Sequence, residues 1–167
     1  MLRLAALKGV FSAVVSEPVS YVNAPLIAEQ RGIEVRLLTE EVAEDYRNVI
    51  TIAGALSDGG QISVSGTLTG PKQIEKIVAI NGYDLELPFA AHMIVFTYTD
   101  RPGIVATYGK LLGDAGVNIA GMQIARDKEG GQALSVLSVD SPTPDALLDT
   151  LATAIEAGTV REIDITE

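Results

Sequence analysis

The sequence predicts an α+β chain made of two small domains, and three features carry that prediction. Residues 91–167 alternate between strand and helix periods in the order β-α-β-β-α-β. Residues 1–90 run instead as two helices followed by an antiparallel meander. Between them, Pro88 to Ala91 breaks both patterns and reads as the junction. The chain has 167 residues, 47% of them hydrophobic, so each half can bury a core of its own.

In the first domain, Leu4, Leu7, Phe11, Val14 and Val15 form the apolar stripe of a helix that starts in the amphipathic segment Leu2 to Lys8. Pro18 breaks it, because proline has no N–H to donate. Tyr21 to Arg31 reads as a second helix, interrupted at Ala24-Pro25. Val49 to Ala55 is a strand that meets a turn at Ser57-Asp58-Gly59-Gly60. Ile62, Val64 and Leu68 then alternate with Gln61, Ser63, Ser65 and Thr67, the pattern of a half-buried strand. Ile77, Val78 and Ile80 lead into Asn81-Gly82, the pair favoured by a type I′ hairpin. Leu85 and Leu87 alternate with Asp84 and Glu86 on the return.

In the second domain, Met93 to Tyr98 is rich in β-formers, with Ile94, Phe96 and Tyr98 on one face. Ile104, Val105, Tyr108, Leu111, Leu112 and Ala115 recur at helical spacing, and Gly116 sits where a helix C-cap belongs. Asn118 to Ala125 and Gln132 to Val139 read as strands joined by a hairpin at Asp127-Lys128-Glu129-Gly130-Gly131. Pro144-Asp145 opens a helix carrying Leu147, Leu148, Leu151 and Ile155, which Gly158 ends. Ile163 and Ile165 alternate with Glu162 and Asp164 in the last strand. This is the split βαβ, or ferredoxin-like, order. Its two helices share one face of the sheet, which leaves the other face open and available for pairing.

Composition excludes several functions. A net charge of −10, with twelve scattered Lys and Arg, argues against nucleic acid, which needs a basic face to displace counterions. No apolar run approaches the roughly 20 residues that span a bilayer, and the amino-terminal segment lacks the apolar stretch and cleavage site of a signal peptide. The absence of cysteine excludes disulfides and thiol catalysis and allows a reducing, cytoplasmic setting. No two glycines are spaced by one residue, so the dinucleotide-binding turn is missing. Gly109-Lys110 is followed by Leu111 in mid-helix, which rules out a phosphate loop. With one histidine, a metal site would rest on carboxylates, and these show no ligand spacing. His92 has no catalytic partner and reads as a domain-entry residue. The chain therefore reads as a binding or regulatory unit with no catalytic or metal-binding residues.

The binding chemistry centres on Tyr98-Thr99-Asp100-Arg101-Pro102-Gly103 and, fifteen residues after that glycine, on Asn118. A strand ends in a turn that launches a helix, and the chain returns through Gly116-Val117-Asn118-Ile119 into another strand. The expectation is a cluster of one carboxylate, one carboxamide and the free N–H groups of a helix start. Such a cluster can hold the ammonium and carboxylate of a small amino acid. Asp before Pro-Gly is also ordinary turn and N-cap chemistry, and the Tyr98 ring can simply pack.

The words Tyr98 to Val105 and Gly116-Val117-Asn118-Ile119 resemble the ACT domain, a small-molecule-sensing module of βαββαβ order. The front half is similar to the intervening domain of long-form D-3-phosphoglycerate dehydrogenases. The words that carry this are Leu2-Arg3-Leu4-Ala5-Ala6-Leu7, Phe11-Ser12-Ala13-Val14, Tyr21-Val22-Asn23-Ala24-Pro25 and Glu29-Gln30-Arg31-Gly32. Val64-Ser65-Gly66-Thr67-Leu68-Thr69-Gly70-Pro71 and Lys76-Ile77-Val78-Ala79-Ile80-Asn81-Gly82-Tyr83 extend them. The resemblance implies an intervening, allosteric substrate-binding-like domain over 1–90 and an ACT domain over 91–167. It also implies a parent that oxidises 3-phosphoglycerate with NAD in serine synthesis, through domains not present in this chain, which itself holds no cofactor.

L-Serine is implied as the feedback inhibitor, bound between two ACT domains of a homo-oligomer that also associates through its intervening domains. The carried-over contacts are Asp100 and Asn118, with Tyr98, Arg101, Pro102, Gly103, Ile104 and Val105 alongside. Lys72 and Lys76 are the implied candidates for an anionic effector in the first domain. The resemblance also implies chain preceding Leu2 that helps to complete the intervening domain, so the first domain is expected to lack an edge strand. Two other readings remain: an ACT sensor of a different amino acid, and an architectural module that pairs without a ligand.

Overall fold

The computed structural model describes residues 1–41, 45–57 and 59–165, and the predicted turn residue Asp58 lies outside them. By its internal contacts the chain divides into Met1–Asp45 and Tyr46–Glu167.

The first unit holds α1 (Leu2–Ser12) and α2 (Ala24–Gln30). Leu7 and Phe11 of α1 close on Ala24, Ile27 and Ala28 of α2, with Val15, Val19 and Val35 packed around them. Both helices are shorter than their sequence patterns predict. Val14 lies beyond the end of α1 and is exposed. The stretch before α2 is occupied by a turn in which Ser20 N–H donates to Asn23 Oδ1 (2.6 Å) and Asn23 N–H to Ser20 Oγ (3.2 Å). Such side-chain bonds to nearby backbone compete with helix, so Tyr21 and Val22 stay outside it.

The second unit carries two antiparallel four-stranded sheets. The first is the meander β1 (Ile50–Ala55), β2 (Gln61–Thr69), β3 (Ile74–Ile80) and β4 (Tyr83–Pro88), in spatial order β1-β2-β3-β4. The β3–β4 hairpin is the one foreseen: Asn81 and Gly82 have φ of 50° and 81°, and Ile80 pairs with Tyr83. Both positive φ values are what a type I′ turn requires.

The second sheet comprises β5 (His92–Thr99), β6 (Ile119–Arg126), β7 (Gln132–Val139) and β8 (Thr159–Asp164), ordered β6-β7-β5-β8. Helices α3 (Ile104–Asp114) and α4 (Asp145–Ile155) complete the βαββαβ order predicted. On the helix side, Ile94, Phe96 and Tyr98 of β5 meet Ile104, Tyr108 and Leu112 of α3 and Leu151 and Ile155 of α4. Phe96 and Tyr108 stack edge to face, with centroids 5.1 Å apart. One boundary differs from expectation. The left-handed residue that ends α4 is Glu156, with φ of 53°, whereas Gly158 N–H already bonds the Thr97 carbonyl at the sheet (2.9 Å).

The open sheet face expected from the sequence is not open. Met93 of β5 and Leu134 and Val136 of β7 are buried against Ile77, Ile80, Leu85 and Leu87 of β3 and β4. The meander therefore covers the face opposite the helices, and among the described residues the sheet is left with free edges instead of a free face. Those edges are β6 and β8.

Candidate functional site

The predicted site residues fall at two opposite ends of the β5–β8 sheet. All neighbouring strands are antiparallel, so β5 and β6 run the same way. Asp100 follows the end of β5, and Asn118 precedes the start of β6. Eight-residue strands at about 3.3 Å per residue put these ends more than about 20 Å apart. Within one chain, then, the carboxylate and the carboxamide do not meet, contrary to the cluster expected from sequence. The reason is α3: eleven residues of helix carry the chain about 16 Å back along the sheet before β6 begins.

At the first end, Asp100 N–H donates to the Gly131 carbonyl at 2.8 Å, which ties the turn to the β6–β7 hairpin. Its carboxylate accepts from Arg126 Nη1 at 2.8 Å. Asp100 beside it holds the Arg126 guanidinium more firmly protonated, chiefly through that hydrogen bond. Pro102 and Gly103 lie in the turn, and α3 starts at Ile104 with Gly103 as its N-cap at φ 92°, a value that glycine adopts without strain. No side chain caps this end, so Asp100 does not serve as the N-cap, and the first N–H groups of α3 have no intrahelical acceptor.

Arg101 turns towards α4, where its Nη2 donates to Glu156 Oε1 at 2.9 Å and holds that carboxyl below the usual range. Tyr98 is 2% exposed and bonds Ser135 Oγ through its hydroxyl (3.1 Å), so its ring supports the turn from the core. Ile104 is buried and Val105 is exposed.

At the second end, Asn118 Nδ2 donates to Asp140 Oδ2 at 2.7 Å. His92 lies nearby at the start of β5, its Nδ1 3.7 Å from Asp164 Oδ2. Between the two ends runs β6, whose outer edge pairs with no strand among the described residues. Met122 and Ile124 on β6 are 42% and 39% exposed, and the Tyr108 hydroxyl donates to Met122 Sδ (2.7 Å), which places this apolar stripe beside α3.

In the meander, Lys76 is paired with Glu86 at 2.7 Å, a contact that lowers the Glu86 carboxyl below its usual range. Lys72 is exposed on the turn before β3.

Sequence reasoning missed Arg126 and Asp140. Each ends a strand beside a hairpin or loop, with no spacing to mark it. Only the register that sets Arg126 opposite Ala133 reveals that it stands next to Asp100. Among the described residues no group of acidic, histidine or cysteine side chains could hold a metal ion, and no helix is long and apolar enough to cross a membrane.

Comparison with known proteins agrees across nearly the whole chain. The family model for the D-3-phosphoglycerate dehydrogenase intervening domain matches residues 1–81, and the ACT domain model matches residues 92–156. The D-3-phosphoglycerate dehydrogenase of Mycobacterium tuberculosis (strain H37Rv) is 38% identical over 165 residues, which are 99% of this chain and 31% of that protein. That of Synechocystis sp. is 36% identical over 147 residues, covering 88% of this chain and 26% of the relative. That of Bacillus subtilis (strain 168) is 30% identical over 161 residues, covering 96% and 30%. The chain thus spans between 26% and 31% of the length of these relatives.

Proposed function

From the D-3-phosphoglycerate dehydrogenase family, to which this chain belongs through its intervening and ACT domains, we propose a regulatory unit that binds L-serine between two paired copies. The observation that carries this reading is the separation of Asp100 and Asn118 along a free edge strand. If two β6 edges pair antiparallel about a two-fold axis, the Asp100 end of one copy comes beside the Asn118 end of the other. The half-exposed Met122 and Ile124 supply apolar surface for such a contact. Two equivalent amino-acid sites then arise per pair, each built from both chains.

The chemistry at each site follows from the groups present. Asp100 accepts from the ligand ammonium. Asn118 of the second copy donates to the ligand and accepts from it. The uncapped N–H groups from Gly103 to Val105 face the ligand carboxylate at the positive end of α3. Arg101 and Pro102 shape the turn, and Tyr98 holds it from the core. A ligand that touches both copies binds the paired state better than the separated one. That difference in affinity is what transmits serine binding to a distant active site as feedback inhibition. On this reading NAD and 3-phosphoglycerate are handled outside these two domains, in a cytoplasmic enzyme whose copies associate through both of them. Lys72 is the remaining candidate for an anionic effector, since Lys76 is engaged by Glu86.

Isothermal titration of L-serine, with D-serine and glycine as controls, tests the reading together with sedimentation of the same sample. Selective binding near one ligand per chain is expected, with stronger self-association when serine is present. Asp100→Ala and Asn118→Ala should each abolish binding while the far-ultraviolet dichroism stays unchanged. Unchanged affinity in either variant overturns the site. A paired, folded sample that binds no amino acid points to the architectural module, and one that prefers glycine to serine points to a sensor of a different ligand.

A further inference from the structure

The Asp100–Arg126 ion pair poses a conflict for the site just described. The ligand ammonium has to share the Asp100 carboxylate, whose Oδ2 Arg126 Nη1 already holds at 2.8 Å. A carboxylate can accept from two donors, but a guanidinium and an ammonium side by side repel each other, so the ligand binds better once the guanidinium has left. It is free to move, since the Arg126 side chain is 55% exposed whereas that of Asp100 is 24% exposed.

A destination exists at the other end of the same strand. Asp140 accepts a hydrogen bond from Asn118, and no cation pairs with it among the described residues. In an antiparallel pairing of two β6 edges centred between Met122 and Gln123, Arg126 of one copy stands opposite Ile119 of the other. That is one residue from the second copy's Asn118–Asp140 pair. Arg126 of each copy then stands near Asp140 of the other, twice, by symmetry.

We propose that Arg126 is the gate of the amino-acid site: in the separate chain it occupies Asp100, and in the pair it moves to Asp140 of the second copy and frees Asp100 for the ligand. This inference rests on the serine-site reading above and adds a cause for the coupling between pairing and ligand. The exchange trades one exposed ion pair for another, so it is cheap in either direction and easily tipped by the ligand.

Four proteins test it: the wild type, Arg126→Gln, Asp140→Asn and the double variant. Each is titrated with L-serine at a concentration where it is paired, and sedimentation measures the pairing. Arg126→Gln should bind serine within about twofold of the wild type, because Asp100 is open in both pairs. Asp140→Asn keeps the hydrogen bond to Asn118 but strands Arg126 on Asp100, so it should bind serine about two- to fivefold more weakly, the size expected of an exposed ion pair. Each single variant should also pair less strongly. The double variant should recover the affinity of Arg126→Gln, because no guanidinium is left to block Asp100.

Unchanged serine binding in Asp140→Asn overturns the gate, as does a loss there that persists in the double variant or weaker binding in Arg126→Gln. A wild type that binds serine while these results fail removes the gate alone. A wild type that binds no serine removes the site reading and the gate with it.

Discussion

Strands β7 and β1 have similarly apolar compositions and opposite surroundings. β7, Gln132–Val139, buries every position after its first, whereas β1, Ile50–Ala55, buries none. β7 has β5 and β6 on its two sides, the helices over one face and β3–β4 over the other. Its two serines, Ser135 and Ser138, are buried along with its apolar residues. Among the described residues β1 pairs only with β2. Ile50 and Ile52 share a face with Ile62 and Val64 through the β1–β2 register, and all four are exposed. The difference teaches that a strand's residues announce a face to be covered but do not supply the cover. On the same side of the meander, Ile77 and Ile80 are buried because β5 and β7 lie against them.

The largest test of that contrast is Leu134→Ala. Leu134 is 1% exposed in the core shared by the two sheets, so the variant should lose about 2–5 kcal/mol in urea unfolding. A loss below that range would mean that the two sheets are not packed together in solution.

A smaller effect should come from alkaline pH. Tyr108 of α3 is fully buried against the sheet, and burial first, then the nearby Tyr98 hydroxyl, pushes its phenol up to about 12. A raised native value means that the unfolded chain gives up this proton first. The contribution of Tyr108 is therefore complete below about pH 10 and declines as pH rises from 10 towards 12. Urea midpoints across that window should fall, and Tyr108→Phe should make the fall shallower. An unaltered slope in the variant would assign the decline to other groups.

The smallest effect should be that of Ile52→Ala, about 1 kcal/mol or less, because Ile52 stays 40% exposed and belongs to none of the buried cores. A loss matching that of Leu134→Ala would instead show that the assembled protein covers β1.

Much of the fold could be read locally. The Asn81-Gly82 hairpin, the apolar spacing of α3 and α4 and the βαββαβ order depend on φ preferences and on contacts a few residues apart, all written in consecutive residues. The end of α4 was not legible. Glu156 takes the left-handed conformation while its side chain reaches Arg101, a contact across 55 residues. Nor was the start of α2 legible, because the side chains of Ser20 and Asn23 bond each other's backbone N–H where apolar periodicity continues.

The candidate site divides in the same way. The sequence by itself determined the chemistry available: Asp100 in a turn before a helix start, Asn118 at a strand entry, and no catalytic motif between them. Only the tertiary structure decided where those groups stand. Helix α3 separates Asp100 from Asn118 by the length of the sheet, strand register sets Arg126 on Asp100, and β3–β4 closes the face that the sequence left open. Turns and helix starts are set by neighbours in the chain, whereas pairing across a sheet is set by which distant strands exclude water from one another.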